Sequence, residues 1–142
     1  MPSPIIGTVD KAQFGEFLRT NPGLVILKLG ATWCGPCKQI EKQVYECIGK
    51  MQNNVQSIII DIDDSFEIYS FLKTKKMVNG IPAILCYEKG NTTYIPTHSV
   101  FGSDIQQVRL FFQQCYDRAN QMLAEETHKN LKDRLERAGD VA

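Results

Sequence analysis

Two cysteines separated by Gly35-Pro36, in the string Trp33-Cys34-Gly35-Pro36-Cys37, are the residues of this 142-residue chain best suited to chemistry. They fall where a nearly continuous apolar run gives way to helical periodicity. Both then belong to the first turn of a helix and share one face, so their sulfurs can close a small disulfide ring with little backbone movement. The unpaired N–H groups and positive dipole end of that helix favour a thiolate over a neutral thiol, which makes the first cysteine the expected exposed nucleophile. Each unit by which a cysteine pKa falls corresponds to about 1.4 kcal/mol of preference for the thiolate, and nucleophilic strength falls only partly in compensation. Pro36 stands where its missing N–H would have been unpaired anyway, and Gly35 lets another chain approach the sulfur. The same pair could be half a zinc site, but zinc takes about four ligands and the sequence holds no second close pair of Cys or His.

The elements that must position this pair are marked by changes of period. Pro4 to Val9 reads as a short first strand. Asp10 with Gln13 makes a capping box ahead of Phe14, Phe17 and Leu18, and Asn21-Pro22-Gly23 ends that helix. Leu24 to Leu29 is apolar at all but one position, as expected for a central strand covered on both faces. Ile40, Val44, Ile48 and Met51 continue the cysteine helix, and Val55 to Ile62 reads as another buried strand. Ser65 to Lys75 is expected as a helix with Phe66, Tyr69, Phe71 and Leu72 inward. Pro82 to Tyr87 and Thr92 to Ile95 look like strands joined as a hairpin across Glu88 to Asn91. Ser103 and Gln106 form a second capping box ahead of a long helix. The fold class is α/β: a central mixed sheet flanked by helices, with an extended C-terminal helix.

Composition narrows the setting. Apolar residues make up 43% and charged residues 23% of the chain, ordinary for a globular domain, and Lys plus Arg balance Asp plus Glu at 16 each. No global field gathers polyanions or holds the protein on an acidic surface, so nucleic acid is not an expected partner. No apolar stretch approaches the roughly 20 residues needed to span a bilayer. Met1 to Asp10 carry no Lys or Arg and show no secretory pattern, and five cysteines with only one close pair do not make an extracellular disulfide framework. A reducing, cytoplasmic location is expected.

Ala31-Thr32-Trp33-Cys34-Gly35-Pro36-Cys37-Lys38 resembles the active-site segment of the thioredoxin family at every position. Gly80-Ile81-Pro82 resembles that family's cis-proline loop, and Gly90 and Gly102 resemble two further family glycines. The likeness runs over about residues 4 to 116 and implies a thioredoxin fold. It implies a protein-disulfide reductase in which Cys34 attacks a substrate disulfide and Cys37 resolves the mixed disulfide. Ile81 and Pro82 would position an extended substrate segment, and Trp33 would form an apolar shelf. Electrons would come from a thioredoxin-reductase-like donor, and no bound cofactor or metal is implied.

The sequence also departs from the family. Six residues before the nucleophile the family usually carries a buried Asp that moves the resolving cysteine's proton; here that position is Lys28. The lysine that partners that Asp has no match in Ser57-Ile58-Ile59-Ile60. Lys28 is expected either to favour the thiolate while leaving deprotonation of Cys37 to water or substrate, or to snorkel without a role. Cys47, Cys86 and Cys115 fall on apolar periodic positions and read as core. In the long last helix the apolar stripe ends near Leu123, so the chain divides into a thioredoxin-like domain, 1–123, and a charged helical extension or frayed tail, 124–142. Leu131 and Leu135 leave room for self-association through that extension. A thioredoxin-fold binding or assembly subunit is the alternative to the enzyme.

Overall fold

The computed structural model describes residues 3–139. Eight elements follow in order: α1 (Lys11–Arg19), β1 (Leu24–Gly30), α2 (Gly35–Gly49), β2 (Val55–Asp61), α3 (Phe66–Thr74), β3 (Ala83–Glu88), β4 (His98–Phe101) and α4 (Ile105–Gly139). The four strands form one mixed sheet in the order β2-β1-β3-β4, with β1 parallel to β2 and antiparallel to β3, and β3 antiparallel to β4. β1 is the inner strand of the βαβ unit and is buried at every residue, which is why it reads as an unbroken apolar run.

Each face of the sheet carries its own apolar layer. Phe14 and Leu18 of α1 and Ile68 and Leu72 of α3 pack on Val25, Leu27 and Leu29. Ile40, Val44 and Ile48 of α2 and Val108, Phe112 and Cys115 of α4 pack with Leu24 and Ile26 on the other face. The alternation along β1 puts Lys28 in the second row, a charge at the end of an apolar series.

The α1 capping box is present: Gln13 donates its backbone N–H to Asp10 Oδ1 at 2.7 Å, and Asp10 donates its own to Gln13 Oε1 at 2.9 Å. Four local expectations are corrected. Pro4 to Val9 is not a strand but one bridge, Ile6 with Ile58. Phe66 points outward because it is the first residue of α3, whose buried stripe is Ile68, Tyr69 and Leu72. Thr92 to Ile95 is a loop; Tyr94 takes a left-handed φ of 66° and packs on Phe14 and Phe71, so the strand pairing with β3 begins only at His98. The second cap is Asp104, whose Oδ1 accepts from the Gln106 and Gln107 N–H groups, while Ser103 lies outside the turn.

α4 is one helix of 35 residues, about 50 Å long at the α-helical rise. Its last buried residue is Ala119, Met122 and Leu123 are half-buried, and Ala124 to Gly139 are exposed throughout. Residues 140–142 of the expected extension lie outside the described residues.

Candidate functional site

The site is assembled at the carboxyl end of β1, where the chain leaves the sheet and enters α2. Cys34 is the N-cap of α2 in extended conformation, and its Sγ accepts the Cys37 N–H at 3.2 Å. A sulfur thus occupies the place that a capping oxygen takes in an ordinary helix, facing the donors that α2 leaves unpaired. Pro36 lies in the first turn, where it removes no helical hydrogen bond. Cys34 and Cys37 are joined as a disulfide, with their Cα atoms 5.2 Å apart. In this closed form Cys34 is 6% exposed and Cys37 3% exposed. The nucleophile's opening is therefore narrower than the sequence suggests, because the pair belongs to the buried apolar cluster that also holds Ala31, Ile62, Tyr69 and Ala83. Gly35 and Pro36 are exposed next to it.

Trp33 is 64% exposed, and its indole N–H donates to Asp63 Oδ2 at 2.8 Å. Asp61 holds the same loop: Oδ2 accepts the Thr32 N–H at 3.0 Å and Oδ1 accepts the Asp63 N–H at 2.8 Å. These two carboxylates orient the active-site segment, and the sequence reading passed over them. Their signal was present as polar residues set alternately where the buried run of β2 ends.

The Ile81–Pro82 peptide is cis. Ile81 packs against the apolar cluster that contains both active-site cysteines. The Pro82 carbonyl accepts the Gly102 N–H at 3.0 Å, and Gly102 has a φ of 87°, a conformation open to glycine at little strain. Ile81 makes no backbone–backbone hydrogen bond among the described residues.

Lys28 is 7% exposed. It lines a cavity of about 530 Å³ together with Gly30, Cys37, Glu41 and Asp61. Among the described residues no carboxylate comes within salt-bridge distance of it. Burial pushes the Lys28 ammonium below the usual lysine range, against the opposing pull of Glu41 and Asp61.

The remaining thiols are set apart from the site. Cys86 and Cys115 are buried against each other between β3 and α4, and the Cys115 thiol together with burial holds Cys86 well above the usual thiol range. Burial also raises Cys47 on α2. Among the described residues no group of three or more His, Cys, Asp or Glu side chains is placed to hold a metal ion.

Comparison with known proteins places these features in context. The Thioredoxin family model matches residues 5–108. Thioredoxin of Oryctolagus cuniculus is 36% identical over 82 residues, covering 57% of this chain and 73% of its own. A thioredoxin-like protein of Synechocystis sp. is 27% identical over 103 residues, covering 72% of this chain and 89% of its own. A solved thioredoxin of Plasmodium falciparum superposes with a TM-score of 0.61 at 24% identity, covering 77% of this chain and 98% of its own, a likeness of fold.

Proposed function

Because the chain belongs to the thioredoxin family, we infer that its thiol-disulfide oxidoreductase activity runs through Cys34 as nucleophile and Cys37 as resolving thiol. The family acts on protein disulfides with a reductase as electron donor. In the reducing direction the Cys34 thiolate attacks a substrate disulfide, expels one substrate thiolate and forms a mixed disulfide. Cys37 then attacks Cys34 Sγ, releasing the second substrate thiol and closing the Cys34–Cys37 bond; a donor reopens it with two electrons. The observation that carries this reading is the pair itself: two sulfurs bonded across the first turn of α2, one of them capping the helix.

Supporting roles follow from position. Ile81 would pair with substrate through its backbone groups, as a strand added at the edge of the site, with Pro82 fixing the loop. Exposed Trp33, tethered by Asp63, would supply an apolar shelf, and Gly35 and Pro36 would leave the approach to Cys34 open. Residues 1–123 would form the working domain and 124–142 an appended helix, a division supported by the end of α4 burial at Leu123. Self-association through Leu131 and Leu135 belongs to the same proposal. No helix among the described residues is long and apolar enough to cross a membrane. The balanced charge and unpaired extra thiols support a reducing, cytoplasmic setting in which the protein carries electrons from a reductase to its substrates.

The test is insulin disulfide reduction with dithiothreitol and, separately, with a thioredoxin reductase and NADPH. Turnover that is abolished in Cys34→Ser is expected in both. Turnover with dithiothreitol alone keeps the oxidoreductase and removes the proposed donor. Turnover that survives Cys34→Ser contradicts the assignment of the nucleophile.

A further inference from the structure

The last helix changes its apolar side where it leaves the core. Its buried and half-buried residues Val108, Phe111, Phe112, Cys115, Ala119 and Met122 share one face of α4. At about 100° per residue that face continues beyond Leu123 as Glu126, Lys129, Asp133 and Arg137, all polar. The apolar residues of the extension, Ala124, Leu131, Leu135 and Ala138, lie about half a turn away, on the side turned from the domain's own core. Leu131 is 53% and Leu135 66% exposed. A core helix that merely overran its domain would carry its stripe along the same face or lose it, whereas this one begins a second stripe opposite the first. With His128 included, the steps from Ala124 to Ala138 are four, three, four and three residues, the repeat of a helix that packs along another helix. Building on the self-association proposed above, we propose that residues 124–138 pair antiparallel with the same segment of a second copy, so that Glu125 of each chain meets Lys132 of the other.

Charge selects both the occupant and its direction. In the antiparallel arrangement Ala124 packs on the partner's Leu135 and His128 on the partner's Leu131, and each flank of the seam meets its own counterpart. One flank sets Glu125 beside the partner's Lys132, twice by symmetry. The other sets Thr127 beside the partner's Arg134, with no like charges opposed. A parallel dimer would turn the Glu125–Lys132 flank toward the Thr127–Arg134 flank, which offers Glu125 no cation at its own level and Lys132 no anion, and would stack His128 on the partner's His128. Within its own chain Glu125 reaches Arg118 at 3.9 Å, and its side chain is still 60% exposed. His128 weakens the seam and helps to fix its register, as a polar residue at such a position does.

The placement of the extension permits the contact. α4 starts just beyond Gly102, whose N–H bonds the Pro82 carbonyl at the active-site end of the sheet, and its later turns pass Pro22, Gly23 and Lys89 at the other end. Pairing centred between Lys129 and Asn130 makes residues 120–139 overlap, a length of about 30 Å. The tip of each helix then stops where the partner's core begins, and both Cys34–Cys37 pairs lie remote from the contact. A seam this short belongs with weak, transient interfaces, and a dissociation constant on the order of 100 µM is expected.

The test is sedimentation equilibrium of the full chain in reductant, from about 5 µM to about 1 mM. The wild-type mass is expected to climb from one chain toward two, while Leu131→Asp and Leu135→Asp stay at one chain with their far-ultraviolet helicity retained. Glu125→Lys alone and Lys132→Glu alone are each expected to associate about three- to tenfold more weakly, because each sets like charges across the seam. Mixed in equal amounts, those two variants are expected to associate about as strongly as wild type, since every opposed pair between them is again of opposite charge. A wild-type chain that remains single at about 1 mM overturns the proposal, and so does a dimer that Leu131→Asp and Leu135→Asp leave intact. Association with no rescue in the mixture overturns the antiparallel order. Cys34→Ser is expected to dimerise like wild type and Leu131→Asp to keep wild-type insulin reduction per chain, so this inference and the dithiol assignment fail separately.

Discussion

Cys34 is legible from sequence because its role depends on neighbours in the chain: a helix start, a proline in the first turn and a second cysteine one turn on, all of which the structure reproduces. Lys28 is not legible in the same way. Its burial depends on α2 folding back over β1 and on Gly30 leaving space beside it, contacts that no local pattern encodes. Asp61 and Asp63 were missed for the same reason, since their acceptors matter only once the loop before α2 lies across the end of β2. The environment of Lys28 has a measurable consequence for stability. Its ammonium is disfavoured by burial, so the unfolded chain binds the proton more tightly and stability rises with pH. The destabilisation is fully present below the lowered folded-state value and fades as pH climbs toward 10.5. Urea unfolding should therefore find Lys28→Met more stable than wild type at pH 7, with the difference shrinking as pH rises toward 10.5. A difference independent of pH would show that the lysine is not desolvated in the fold.

Elements whose burial repeats along their own length were readable: α1 with its capping box, the fully apolar β1, and α2 with its stripe of Ile40, Val44 and Ile48. The loop from Lys89 to Thr97 was not. Thr92 to Ile95 has strand-like composition, but the Asn91 side chain binds the Thr93 N–H and the Ile95 carbonyl and closes the segment on itself. Tyr94 is then spent on the aromatic cluster with Phe14 and Phe71. α2 itself is held on the sheet by α4, where Phe112 is fully enclosed between them and T-stacked on Phe111. Phe112→Ala should lower the unfolding free energy by about 3–5 kcal/mol, the usual range for emptying an aromatic core position. The denaturant midpoint measures this. A loss under about 1 kcal/mol would mean that α4 does not anchor α2 as the packing indicates.

Over the whole molecule, the mixed sheet with helices on both faces was legible because alternating strand and helix periods leave few other arrangements for a chain of this length. The reach of α4 beyond the core was visible as the point where its apolar stripe stops, and the extended C-terminal helix expected there runs unbroken to Gly139. The Arg118–Glu125 pair, at 3.9 Å, joins the packed and exposed parts of that helix, a surface contact worth at most about 1 kcal/mol. Deleting residues 124–142 should reduce far-ultraviolet helicity while changing the unfolding free energy by less than about 1 kcal/mol. A larger loss would show that the extension is covered in solution, with Leu131 and Leu135 as the faces to map by sedimentation. The central claim, that electrons pass from this fold to another protein through a Cys34 mixed disulfide, is tested most directly by trapping that species. Incubating Cys37→Ser with insulin, quenching with acid and identifying the product by mass spectrometry should yield a covalent adduct on Cys34. An adduct on Cys47 or another thiol instead, or none while the wild-type protein turns over, would contradict the account.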